Sequence, residues 1–185
     1  MNIPVRTATG KVIVRPDTTW KRDDDACYMP DFVTRVTWAP VIFADIRRLG
    51  KSVSAKFADR YFDSIGFGFL LYPEDLVDGS TEGFACASCL DHTTFLSYPS
   101  VFGKEFAEDF RILKDSEEIF RTPVPQPEFI HKAIEDVTSR CLVRRGDLLA
   151  IELQERTHLC SRPCGTVRLK AFAGQTVLND ISIVL

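Results

Sequence analysis

The chain has 185 residues, of which 45% are apolar and 26% charged, and its formal net charge is -3. That length supports one sizeable core rather than two, and the composition is that of a globular chain. The charge gives no electrostatic reason to expect nucleic acid or an anionic membrane as partner, and no apolar run approaches the roughly 20 residues of a membrane span.

In chain order, residues 1–10 read as an N-terminal segment that need not be fixed to the core, followed by a single domain over 11–185. The opening MNIPVRTATGK has no apolar stretch of the kind a secretory signal needs, so a cytoplasmic location is expected. Lys11 to Val14 alternates and is rich in β-branched residues, which predicts a strand stopped by Pro16. In KRDDDACYMPDF, the run Asp23, Asp24, Asp25 lacks EF-hand spacing and a following glycine, so a solvated loop is expected rather than calcium. VTWAPVIFADIRRLGK is a strong strand interrupted by Pro40. Pro40 removes a ladder donor from it, which predicts an edge, a bulge or a strand start there.

Val53, Phe57, Tyr61 and Ile65 have helical spacing, with Ser54 available as a cap. IGFGFLLYPEDL reads as a buried strand ending at Pro73, and residues 76–90 as turn-rich and then apolar. FAEDFRILKDSEEIFRT alternates around Phe106, Phe110, Ile112 and Ile119, predicting a hairpin with KDSEE at its tip. The clearest helix is QPEFIHKAIEDVTSRC. It has a proline near its start, Glu128 in its first turn, an apolar face of Phe129, Ile130, Ala133, Ile134 and Val137, and Arg140 near its end. RRGDLLAIELQ, GTVRLKAFAGQ and TVLNDISIVL complete the chain as strands. Two helices among many strands predict an α+β, mainly β fold.

Six cysteines are present: Cys27, Cys86, Cys89, Cys141, Cys160 and Cys164. Cys86 and Cys89 have C-x-x-C spacing, and Cys160 and Cys164 could complete a four-thiolate zinc site. Ordinary buried or scattered thiols are the expected reading, and a thioredoxin-type redox pair lacks its βαβ context. His92 and His158 lie near Asp91 and Glu155 in sequence, but surface or loop histidines are expected. His131 is expected to face solvent from its helix. Trp20 and Trp38 are expected in the core.

The order of elements and three local stretches resemble the fumarylacetoacetate hydrolase family. RPDTTW resembles the family's KPDSAL. IRRLGKSVSAKFADRYFDSIGFGF resembles the segment after its first metal-binding strand. LVRRGDLLAIEL resembles its L-x-P-G-D-L-I-x-T-G-T-P. The resemblance runs in one register over residues 11–185. It implies the family's catalytic-domain fold, a mixed β-sandwich roll with a few helices. It also implies a divalent cation, usually magnesium or manganese, held by Glu-x-Glu on one strand and an aspartate on a later one. That cation would stabilise an enolate in hydrolysis, isomerisation or decarboxylation of a keto acid.

In that register the Glu-x-Glu position reads Ala39-Pro40-Val41 and the aspartate position reads Leu70. Ser88 stands at the lysine position, with Asp91 kept. The substrate loop reads Ile151, Glu152, Leu153 and Gln154, and the family's histidine loop is missing. Arg15, Asp75 and Asp91 remain as a candidate residual pocket. The expectation is therefore a catalytically degenerate member without a cofactor, serving in binding or assembly. The alternative is a divergent hydrolase, isomerase or decarboxylase of a small oxo-acid. Family habit implies a homodimer, with an active paralogue as a further candidate partner.

Overall fold

The computed structural model describes residues 1–22, 26–99, 102–104 and 108–185. The acidic run Asp23–Asp25 and Phe106 of the expected hairpin lie outside the described residues. The strands in chain order are β1 (Asn2–Arg6), β2 (Val12–Pro16), β3 (Cys27–Tyr28), β4 (Arg35–Ile46), β5 (Phe62–Pro73), β6 (Thr94–Leu96) and β7 (Phe102–Gly103), then β8 (Phe110–Lys114), β9 (Glu117–Thr122), β10 (Leu148–Glu152), β11 (Thr157–Ser161), β12 (Thr166–Ala173) and β13 (Thr176–Val184). Among the described residues the α-helices are α1 (Thr81–Cys89) and α2 (Pro127–Arg140). This is the expected mainly β, α+β class.

One sheet runs β2-β1-β10-β4-β5-β6, with β11 also on β4 and β7 also on β5. The other runs β3-β13-β12-β8-β9. Side chains alternate along β4. Val36, Trp38, Ile42, Ala44 and Ile46 join the core shared with the second sheet and α2, while Ala39, Val41 and Phe43 join a separate cluster on the opposite face. Both faces of β4 are therefore buried, which is why its sequence reads as a near-continuous apolar run. Between the sheets Phe67 stacks on Phe110 at 4.6 Å, and Trp38 meets Phe120 edge-on at 6.5 Å. On the opposite face the Phe43 ring lies over Gly66, where a Cβ would come within 2.4 Å of it.

Four sequence expectations change. Residues 1–10 supply β1, an interior strand between β2 and β10 with Ile3 and Val5 fully buried, rather than a loose segment. Pro4 interrupts its short alternation and hides it. Residues 55–60 form a 3-10 helix, not an α-helix, and Ser54 makes no side-chain cap. Its Phe57 is exposed, and Tyr61 and Ile65 belong to the turn and the strand that follow. The turn-rich stretch contains α1, capped by Ser80 Oγ accepting from Gly83 N at 2.9 Å.

Pro40 sits mid-strand rather than at an edge or start. Its carbonyl accepts from Leu153 N at 2.9 Å, so its nitrogen faces the same side. The return bond to Leu153 O has no donor, and β10 ends at Glu152. Pairing to β4 resumes with Thr157 opposite Trp38. Pro40 thus sets the break between β10 and β11, from which residues 153–156 loop outward.

Candidate functional site

Ala39 pairs with Leu70 across β4 and β5, and Val41 lies opposite Gly68 on one side and Glu152 on the other. Directly opposed residues project to one face, so Ala39, Val41, Leu70 and Glu152 share a face. The three apolar side chains are fully buried, packed with Ile3, Val5, Phe43, Tyr72, Leu148 and Ala150. Alkyl groups offer a hard cation no oxygen, so these residues do not fit a magnesium or manganese ion. Among the described residues, no three His, Cys, Asp or Glu side chains are arranged to hold a metal.

At the end of this face lies Arg15, fully buried. All five of its N–H donors are used. Nε donates to Ser88 O at 2.8 Å. Nη1 donates to Thr93 O at 3.1 Å and Thr94 Oγ1 at 2.8 Å. Nη2 donates to Leu71 O at 2.8 Å and Thr93 Oγ1 at 3.1 Å. Every acceptor is neutral. Burial lowers the pKa of Arg15, opposed in part by Tyr72, Glu152 and Cys89. The bond to Ser88 O places the guanidinium on the last turn of α1, where the carbonyl groups lack helical partners and the helix dipole favours a cation.

Between Arg15 and solvent lies a second buried pair. Tyr72 Oη donates to Glu152 Oε1 at 2.7 Å, and Glu152 Oε2 accepts from Ala8 N at 2.9 Å. Burial raises the Tyr72 phenol far above its usual range, so it stays a donor. Arg156, on the loop that Pro40 releases, lies 5.0 Å over the Tyr72 ring and 4.4 Å over Phe84. Outside this layer a cleft of about 320 Å³ is lined by Thr7, Lys11, Phe84, Glu152, Glu155 and Arg156, among others. Sequence reasoning missed Tyr72, Phe84 and Arg156. Tyr72 was accessible to it, because it follows Leu70 by two residues on the same strand.

The other candidates are dispersed. Asp75 is exposed and accepts from Thr34 N, Thr34 Oγ1 and Arg35 N at 2.7, 2.6 and 3.0 Å. Against a desolvation that would raise its pKa, these bonds hold it below the usual carboxylate range. Asp91 is exposed on the turn after α1. Arg15 is fully buried with all its donors used, whereas Asp75 and Asp91 are exposed. Ser88 is buried, its hydroxyl donating to Phe84 O at 2.8 Å. Ile151 belongs to the intersheet core, and Leu153 and Gln154 are half-buried. The Gly146-Asp147 motif is a structural turn: Gly146 has φ 88°, and Asp147 accepts from Asn2 N and Arg144 N at 2.8 Å each.

His92 and His158 are exposed, as expected. His131 is not turned fully to solvent: its ring lies against Phe62 at 6.1 Å, and its Nε2 is buried without a hydrogen-bond partner. The cysteines are all free thiols. Cys86 and Cys89 are exposed on α1, Cys160 is buried on β11, and Cys164 is exposed in the turn beyond it. Trp20 and Trp38 are both buried.

Sequence comparison finds no matching family profile and no matching curated relative. Comparison of structures is informative. A fumarylacetoacetate hydrolase family protein from Yersinia pestis superposes with a TM-score of 0.77 at 15% identity, over 99% of this chain and 92% of the other. Fumarylpyruvate hydrolase from Pseudomonas aeruginosa, in complex with Mn2+ and pyruvate, gives 0.79 at 12% identity, over 100% of this chain and 90% of the other. The chain has the fumarylacetoacetate hydrolase fold. A third structure with this fold, 2-hydroxyhepta-2,4-diene-1,7-dioate isomerase from Mycobacterium marinum, gives 0.78 at 13% identity, over 99% and 74% of the two chains. Coverage that complete extends the fumarylacetoacetate hydrolase fold to both sheets and to α2.

Proposed function

We propose that this chain is a degenerate fumarylacetoacetate hydrolase relative that has given up metal-dependent keto-acid chemistry and serves in binding or assembly. The observation that carries the reading is the packed apolar face of Ala39, Val41 and Leu70, all fully buried. Enolate-forming chemistry needs charge neutralised at an oxygen. Here Arg15 spends every donor inside the fold, and Glu152 is bonded to Tyr72 and Ala8. The reading extends to a cytoplasmic homodimer, or a heteromer with an active paralogue, by analogy with the family.

The test is turnover of acylpyruvates and oxaloacetate with added magnesium or manganese, alongside metal analysis of the purified protein. The expected result is a rate at background and no stoichiometric metal. Chelator-sensitive turnover well above background overturns the reading. Leu70→Asp, placed to restore one carboxylate, should lower stability by about 3 kcal/mol or more without conferring activity, because the charge enters an apolar interior unpaired.

A further inference from the structure

One end of the larger sheet carries a cationic surface that the net charge conceals. The eleven residues 47–51 and 140–145 hold six cationic side chains and no carboxylate, in a chain of net charge -3. Both segments lie at the Asp45–Leu148 end of β4 and β10, away from Glu152 and its cleft. Arg47 is held by Asp45 and Asp63, at 3.1 and 3.4 Å. Arg48, Lys51, Arg140, Arg144 and Arg145 are exposed and form no ion pair among the described residues. Both segments are described throughout, and neither adjoins an undescribed stretch.

Backbone bonds fix the two segments to each other. Gly50 N donates to Val143 O and Val143 N to Gly50 O, each at 3.0 Å. Ser52 N donates to Thr138 O at 2.8 Å, and Lys51 Nζ donates to Arg140 O at 2.8 Å. In this antiparallel bridge Gly50 and Val143 face inward and are buried. Alternation then turns Leu49, Lys51, Leu142 and Arg144 outward, and all four are exposed. Leu49 is 65% exposed and Leu142 40%. Each segment thus presents one leucine between cations, on backbone already fixed in place.

We infer that this surface rests on an anionic lipid bilayer, with its arginines and lysine at the headgroup phosphates and Leu49 and Leu142 entering the acyl boundary. A leaflet rich in anionic lipid attracts unpaired cations held near it. Exposed leucines between those cations gain by leaving water. Nucleic acid is the poorer occupant: neither segment has an aromatic ring on which a base could stack, and phosphate contacts bury no leucine. A second copy is poorer still, because it brings two cation clusters to one seam. The surface is separate from the Tyr72–Glu152 cleft and does not depend on the reading given for it.

The experiment is sedimentation of the full chain with vesicles of phosphatidylcholine containing about one-third phosphatidylserine. Saturable binding is expected, about tenfold or more stronger than to phosphatidylcholine alone, and weakened about tenfold on raising salt from about 0.1 M to about 0.5 M. Arg48→Glu combined with Arg144→Glu should weaken it about tenfold or more, and Leu49→Ser about threefold or more at unchanged charge. All are surface changes whose folding circular dichroism verifies. Leu49→Trp should shift its emission to the blue on binding and be quenched by brominated acyl chains, against Trp20 and Trp38, which are buried. Absence of binding, equal binding to neutral vesicles, insensitivity to the charge reversal or insensitivity to Leu49→Ser overturns the inference. Anisotropy of a labelled oligouridylate and of labelled polyglutamate tests the soluble polyanions. Tighter binding of either than of vesicles, lost in the charge reversal, gives the surface to nucleic acid or to an acidic protein and overturns it equally.

Discussion

Arg15 holds more of the fold together than any carboxylate near it. Its five donors meet five neutral acceptors drawn from Leu71, Ser88, Thr93 and Thr94. A lysine at this place keeps the charge but has three donors on one atom, and cannot span the same acceptors. Arg15→Lys should therefore lower stability by about 2–4 kcal/mol, since buried acceptors left unmade cost about 1–3 kcal/mol each. Urea unfolding at unchanged slope is the measurement. A loss below about 1 kcal/mol would show that water or a shifted backbone replaces the missing donors. The sequence exposed this residue as a candidate without its role. The nearest acceptor along the chain is 56 positions away, and no local pattern encodes such a contact.

Among the elements, Pro40 and α2 illustrate opposite degrees of legibility. The α2 periodicity, its early proline and its terminal arginine are local signals, and the helix forms where they predict. Pro40 was legible as a missing donor but not in its consequence, which depends on the strand that arrives more than a hundred residues later. Replacing Pro40 by valine restores a donor opposite Leu153 O. The gain should be small, within about 1.5 kcal/mol either way, because the new bond competes with the outward course of residues 153–156. Thermal unfolding checks it.

A second prediction concerns the tie between α2 and β1. Arg6 Nε donates to Asp136 Oδ2 at 2.8 Å, and Lys132 Nζ lies 3.2 Å from Asp136 Oδ1. Desolvation opposes these contacts, yet their net effect holds the Asp136 carboxyl below its usual pKa. A depressed carboxyl stabilises the fold at pH above its unfolded value and loses that contribution as pH falls through its folded value. Asp136→Asn should cost about 1 kcal/mol at pH 7, with the difference from the parent beginning to shrink below about pH 4 and lost only once pH passes below the depressed folded value. Paired denaturation curves at several pH values test this, and a constant difference would remove the ion pair as its cause.

For the whole molecule, the fold class was readable because strand and helix periods are local, whereas the shape of the site was not. The stretch GFACASCLDH gave two cysteines at an attractive spacing. Folding turns both outward on α1 and leaves Cys160 buried in another sheet region. Thiol titration should therefore read three prompt groups in the native protein, from Cys86, Cys89 and Cys164, and all six in denaturant. Cys160 should stay silent, since burial pushes its pKa up to about 11 and the thiolate is the reactive form. Six prompt thiols would mean a looser interior than the packing implies.

The bond from Arg15 to the end of α1 also bears on how the protein opens over time. One guanidinium holds β5, α1 and the threonines that lead into β6, so none of these can detach alone without stranding its donors. Such segments behave as a single cooperative unit under native conditions. In hydrogen exchange, the amides of Leu71 and Val77 lie on either side of this unit's boundary: Leu71 N is bonded to Thr93 O inside it, and Val77 N to Glu74 O outside it. The first should exchange only with the larger opening and the second early and independently, so that a single arginine sets the boundary between two clocks in one short stretch of chain.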